Sequence, residues 1–163
     1  MRVHLETVLP CDADDAWVEV QTSRLLCEIA SPLVRLAPVN ARTELPRSWR
    51  TLGTERLRPY LFGFIPWGVR TLCFEQINDR RREIQTREYD SLVARWDHHI
   101  RLEPIDADHC RYIDDVEIVA GVLTPLVWLF AQWFYRHRQQ RWHIVARRLH
   151  AVAADAAAMM GHA

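Results

Sequence analysis

The sequence has no lysine. All 21 of its basic residues are arginine, set against 21 acids for a formal net charge of +0. An all-arginine set is what a GC-rich coding sequence produces, and the balance leaves no global field to recruit nucleic acid or a membrane surface. Cysteine is scarce. Cys11, Cys27, Cys73 and Cys110 are scattered with no C-x-x-C spacing, which argues against a zinc site and for free thiols in a reducing cytoplasm. There is no H-E-x-x-H, G-x-S-x-G, phosphate loop or dinucleotide fingerprint, so no metal or cofactor is expected. Long hydrophobic runs are missing too. Val122 to Tyr135 falls short of the roughly 18 apolar residues of a membrane span, and Gln132 interrupts it. The start, MRVHLETVLP, alternates and carries charge, and is expected to be neither a signal nor a transit peptide. Oligomeric state is left open.

What is present suits one domain. The chain has 163 residues, 49% apolar and 26% charged, enough for a real core. Residues 1–153 are expected to form that domain, with an Ala-rich tail, 154–163, that frays. Arg2 to Leu9 alternates like a strand and ends at Pro10. Asp12 or Asp14 caps a helix through Trp17 and Val20; Ser23 to Ala30 is a second helical piece, broken by Pro32. Extended runs follow at Leu33–Val39, Leu52–Phe62, Trp67–Ile77, Arg82–Asp90, Ala94–Leu102 and Arg111–Val119, with turn signals between them. Strands joined by short turns pair as an antiparallel meander.

The last long segment, from Leu123 to about Ala151, reads as one helix. Thr124 is placed to cap it and Pro125 to occupy its first position. Leu126 to Tyr135 is apolar nearly all round, and such a helix is expected to be enclosed on most sides. Beyond it, at ~100° per residue, Val127, Phe134, Val145, Leu149 and Val152 share one stripe, and Arg138 falls on it. Arg136 to His150 is rich in Arg and His and has no acid. Its outward members are expected to pair with acidic strand faces rather than bind nucleic acid.

Alternation assigns the sheet faces. Trp96, His98, Ile100 and Leu102 form the apolar set of their strand, with charged residues between them, so even positions face inward. Turns centred near Ser91 and Ala107 carry that face to Ile84, Thr86 and Glu88, and to Tyr112, Asp114, Val116 and Ile118. Three ionisable groups, Glu88, His98 and Asp114, thus face an apolar interior. Such groups are costly unless paired or wet. They either pair with each other and with Arg138, or orient a ligand in a cavity. Arg138 either snorkels or anchors a carboxylate at the cavity floor. His98 and His99 point to opposite faces and cannot share a metal ion. Nothing near Cys73 or Cys110 in sequence activates a thiol.

The run Trp96-Asp97-His98-His99-Ile100 resembles the W-x-H-x-hydrophobic strand of START-like (SRPBCC) proteins. Asp114-Asp115-Val116-Glu117-Ile118, Gly121 and Phe134-Tyr135-Arg136-His137-Arg138 extend the resemblance to the bacterial polyketide-cyclase/dehydrase and lipid-transport branch. Asp90-Ser91-Leu92 stands where many members have a Gly-Pro turn. The resemblance implies an α+β helix-grip fold. About seven antiparallel strands curve around the long C-terminal helix, with two short helices after the first strand. It also implies a cavity for an apolar or aromatic small molecule, but no particular reaction. Tyr60, Trp96 and Phe134 are expected to wall that cavity, and Glu88, His98, Asp114 and Arg138 to orient its ligand. The alternatives are a cyclase, dehydratase or hydrolase using His98 as acid/base, oriented by Asp114 or Glu88, and an interaction protein using the Arg-rich helix face.

Overall fold

The computed structural model describes residues 1–160. Strand β1 (Arg2–Leu9) leads into helices α1 (Ala13–Val20) and α2 (Ser23–Ala30). Then come strands β2 (Val34–Pro38), β3 (Thr54–Leu61), β4 (Ile65–Pro66), β5 (Arg70–Asn78), β6 (Glu83–Tyr89), β7 (Arg95–Pro104) and β8 (Cys110–Val119). A 3-10 turn (Gly121–Leu123) feeds helix α3 (Thr124–Met160). This is the α+β helix-grip architecture. Seven strands lie in the order β1-β8-β7-β6-β5-β3-β2, every pair antiparallel, and the two-residue β4 hangs off β3. The two short helices carry the chain from one sheet edge to the other. The meander then returns until β8 lands beside β1.

Local chemistry accounts for the helix starts. The Asp12 carboxylate accepts from the backbone N–H of Asp14 and Asp15 at 2.7 and 3.4 Å, which makes it the cap of α1. Thr22 caps α2 through the Leu25 N–H at 3.1 Å. Thr124 acts differently from the expected cap. Its hydroxyl accepts from the Ala120 N–H at 2.9 Å and donates to the Gly121 carbonyl at 2.7 Å, so it braces the 3-10 turn instead.

The β6–β7–β8 face assignment is the observed one. Thr86 pairs with His98, Glu88 with Trp96, and His98 with Val116. The β7–β8 pairing is centred on Ala107, while β6–β7 is centred on Leu92, one residue beyond the expected Ser91. A shift of the centre by one whole residue moves each partner by two and preserves the face. A bulge at Phe74/Gln76 in β5 does change parity. Leu72 and Phe74 face inward before it, and Ile77, paired with inward Ile84, does so after it.

Two apolar clusters fill the space beneath α3. The larger holds Leu9, Trp17, Leu25, Leu57, Phe74, Leu102, Tyr112 and Trp142; the smaller holds Val3, Trp96, Val116, Ile118, Val127, Ala131 and Tyr135. On α3 the buried stripe is Val127, Ala131, Tyr135, Arg138, Gln139, Trp142, Val145 and Ala146. Two expectations for this helix are corrected. Leu126, Leu129 and Trp133 are 67%, 62% and 48% exposed, so its first half is not enclosed. Val152 is 69% exposed, because the helix there has outrun the sheet. The helix continues to Met160, unbroken by glycine or proline. Of the tail expected to fray, 161–163 lie outside the described residues. No helix among the described residues is long and apolar enough to cross a membrane.

The outer sheet face is a charge ladder: Arg95–Glu117 (2.6 Å), Arg87–Asp97 (3.1 Å) and Arg101–Asp115 (2.9 Å). Exposed pairs of this kind contribute about 0–1 kcal/mol each. They explain how a neutral chain carries so many charges.

Candidate functional site: an apolar cavity between sheet and helix

A cavity of about 550 Å³ lies between the sheet and the first half of α3. Its sheet wall comes from alternating positions: Leu57, Pro59 and Leu61 on β3, Arg70 and Leu72 on β5, Glu88 on β6 and Trp96 on β7. Leu26 of α2 and Val34 and Leu36 of β2 close one side. Val127, Phe130, Phe134, Tyr135 and Arg138 form the α3 wall. Leu92, Leu123, Leu126, Leu129 and Trp133 line it while remaining 42–67% exposed, which marks the mouth. Only three charged side chains, Arg70, Glu88 and Arg138, are among its lining.

The residues expected at the site separate into three groups. Glu88, Trp96, Phe134 and Arg138 line the cavity together. His98 and Asp114 do not. They sit behind Tyr135, whose ring centroid is 5.0 Å from that of His98. Tyr60 is placed wrongly by the sequence expectation and belongs to the opposite face. Alternation puts Leu57, Pro59 and Leu61 inward, so Tyr60 points out, with the Arg35 guanidinium 4.0 Å from its ring centroid.

His98 and Asp114 form a buried polar knot. Asp114 is 0% exposed and accepts from His98 Nε2 (2.8 Å), the Tyr112 hydroxyl (3.0 Å) and Gln139 Nε2 (3.1 Å). An ionised carboxylate only accepts, so His98 Nε2 carries the hydrogen. Burial works against the Asp114 charge, but the hydrogen bond and charge of His98, the charge of Arg138 and the Gln139 amide outweigh it. The carboxyl is held below its ordinary range. Neither group is among the lining of this cavity. The dyad ties α3 to β7 and β8.

Sequence reasoning missed Arg70, Tyr135 and Gln139. Arg70 pairs with Asp90 at 2.8 Å and Glu88 at 3.5 Å, and lies 4.7 Å from the Trp96 ring centroid. Its signal was present, since it shares parity with Leu72 and Phe74. The Tyr135 hydroxyl accepts from Trp96 Nε1 at 3.0 Å. Tyr135 and Gln139 stand four apart on α3, the spacing of one helix face. Arg138 is 6% exposed and does not snorkel.

Part of the Arg-rich face of α3 makes contacts within the fold, mostly through its histidines, and its arginine ion pair goes to α2 rather than to the acidic strand faces expected for it. Arg148 pairs with Glu28, His137 bonds the Ser31 carbonyl (2.9 Å), His143 meets the Thr7 hydroxyl (2.8 Å) and His150 lies 3.7 Å from Asp108. Cys110 is fully buried, and neither it nor Cys73 lines the cavity. No group of three or more His, Cys, Asp or Glu that could hold a metal occurs among the described residues.

Comparison with known proteins agrees with this architecture. A family model described as Domain of unknown function (DUF8410) matches residues 5–145. No curated protein matches the chain. Among solved structures, the Zhui aromatase/cyclase from a Streptomyces species aligns with TM-score 0.67 at 12% identity, covering 91% of this chain and 94% of that one. A START superfamily protein from Mycobacterium smegmatis aligns with TM-score 0.64 at 15% identity, covering 91% and 98%. Norcoclaurine synthase from Thalictrum flavum, solved with dopamine and hydroxybenzaldehyde, aligns with TM-score 0.65 at 13% identity, covering 91% and 87%. At these identities the likeness is one of fold: the chain has a START-like helix-grip fold.

Proposed function

The chain belongs to the family described as Domain of unknown function (DUF8410), and from its cavity we propose that it binds an apolar or aromatic small molecule, lipid-like or polyketide-like in character. One observation carries this reading: a cavity of about 550 Å³ whose walls are leucine, valine and aromatic side chains, with an exposed apolar rim. Small-molecule pockets run to roughly 300–1,000 Å³ and combine apolar walls with a few polar groups that set orientation. Here those groups are Glu88, Arg70 and Arg138. A domain of this size packs its interior densely unless function requires otherwise. Two structural neighbours, an aromatase/cyclase and a synthase solved with aromatic molecules, accord with this ligand class.

The test is a titration with N-phenyl-1-naphthylamine, a neutral apolar dye that brightens when desolvated. Saturable brightening is expected for the native chain. Val127→Trp, which fills the α3 wall, weakens it at least tenfold while far-UV circular dichroism stays unchanged. Absence of saturable binding, or binding indifferent to that plug, would count against the cavity.

A further inference from the structure

Arg138 has no hydrogen-bond or ion-pair partner among the described residues. It is 94% buried, being 6% exposed, and lines the cavity on α3. Its Nε has no hydrogen-bond partner, and no carboxylate of the described residues lies within ion-pairing distance of it. Its neighbours are aromatic faces: the guanidinium carbon is 5.0 Å from the Tyr135 ring centroid and 5.8 Å from that of Phe134. The other arginine of the cavity contrasts with it. Arg70 is held by Asp90 and Glu88.

The charge on Arg138 persists. Burial works against it, yet the Asp114 and Glu88 carboxylates favour the charged form. Those carboxylates stabilise the charge at a distance and leave the guanidinium donors without acceptors. Tyr135 adds another donor. Its hydroxyl accepts from Trp96 Nε1, and its own proton has no acceptor among the described residues. Buried donors left unmade are expensive, charged ones most of all. The cavity brings this cluster beside space that a molecule can fill.

We propose that the bound molecule is a monocarboxylic acid whose carboxylate is seated on Arg138, with Tyr135 as a second donor and an apolar body running past Phe130 and Trp133 to the mouth. This deepens the small-molecule reading above and rests on it. A carboxylate matches the planar fork of a guanidinium bidentately. One unpaired cation favours one negative charge. Arg70 is already spent, and Glu88 on the facing wall repels a second, so a doubly charged phosphate monoester is disfavoured.

The experiment compares two ligands with the same apolar body, dodecanoate and dodecan-1-ol, displacing N-phenyl-1-naphthylamine at pH 7.5. The native chain is expected to prefer dodecanoate roughly 10- to 100-fold, the range of a charge-assisted hydrogen bond. Arg138→Met is expected to erase that preference, bringing the ratio of dodecanoate to dodecan-1-ol affinity to within about threefold of one, and Arg138→Gln serves if the methionine variant does not fold. Equal affinity for acid and alcohol in the native chain overturns the proposal, as does a preference that survives removal of the arginine. If dye and alcohol bind but the acid does not, the cavity reading stands and the carboxylate seat falls. If none of the three binds, both fall.

Discussion

At the scale of the residue, Asp114 organises the interior. Three donors converge on a carboxylate that is 0% exposed. Asp114→Ala strands all three and removes part of what holds the Arg138 charge. Breaking a buried charged network in this way costs about 3–5 kcal/mol, which urea unfolding will read directly. The sign of the pH dependence follows from the depressed carboxyl. Its contribution is complete above the ordinary Asp pKa of about 3.9 and drains away as pH falls through the lower folded value. The native chain therefore loses urea resistance below about pH 4, and Asp114→Asn flattens that part of the profile. His98→Gln tests the dyad from the other side. Because His98 does not line the cavity, dye affinity is expected to stay within about twofold while stability drops by about 1–3 kcal/mol. A collapse of dye binding without loss of stability would return His98 to the site. The inward set Glu88, His98 and Asp114 was legible from alternation alone. Their division was not, because whether an inward group meets a cavity or a neighbour depends on the long-range packing of Tyr135.

At the scale of the element, legibility followed periodicity. Strands β6, β7 and β8 alternate without interruption, so their faces, and the Ala107 centre, could be read. Tyr60 lies on the outer face because the parity set by Leu57 and Leu61 decides its direction, whatever its aromatic character. The bulge in β5 hid the continuity between Phe74 and Ile77. The two-residue β4 carries too little pattern to be seen. The first half of α3 misled for a different reason: an all-round apolar helix normally signals enclosure, whereas here part of that surface forms the mouth of a cavity. Capping was legible for α1. Asp12→Ala is expected to cost about 1 kcal/mol through loss of the Asp14 and Asp15 N–H contacts. A urea midpoint unchanged by that substitution would show the end-closing helices to be uncoupled from the sheet.

At the scale of the molecule, the account makes stability and occupancy two readings of one cavity. A ligand that binds only the folded state at 100 times its Kd adds about 2.7 kcal/mol. For a chain of this size, at roughly 2–4 °C per kcal/mol, that is a rise of about 5–11 °C in Tm. Thermal scans with dodecanoate should show it, and Arg138→Met should lose about half of it or more at the same ligand concentration. The architecture as a whole was the most legible feature, since a strand, two short helices, a meander and a long helix admit few compact arrangements. The cavity was less so: its volume is set by what α3 fails to fill, which no local pattern encodes.

The most direct test is methyl NMR with a nitroxide-bearing alkyl chain. Broadening strongest at the methyls that line the cavity, Leu57, Leu72 and Val127 among them, with the Val8 and Val18 methyls sharp, is the predicted result. Broadening at those outer methyls, or none at saturating probe, would contradict a ligand site between the sheet and α3.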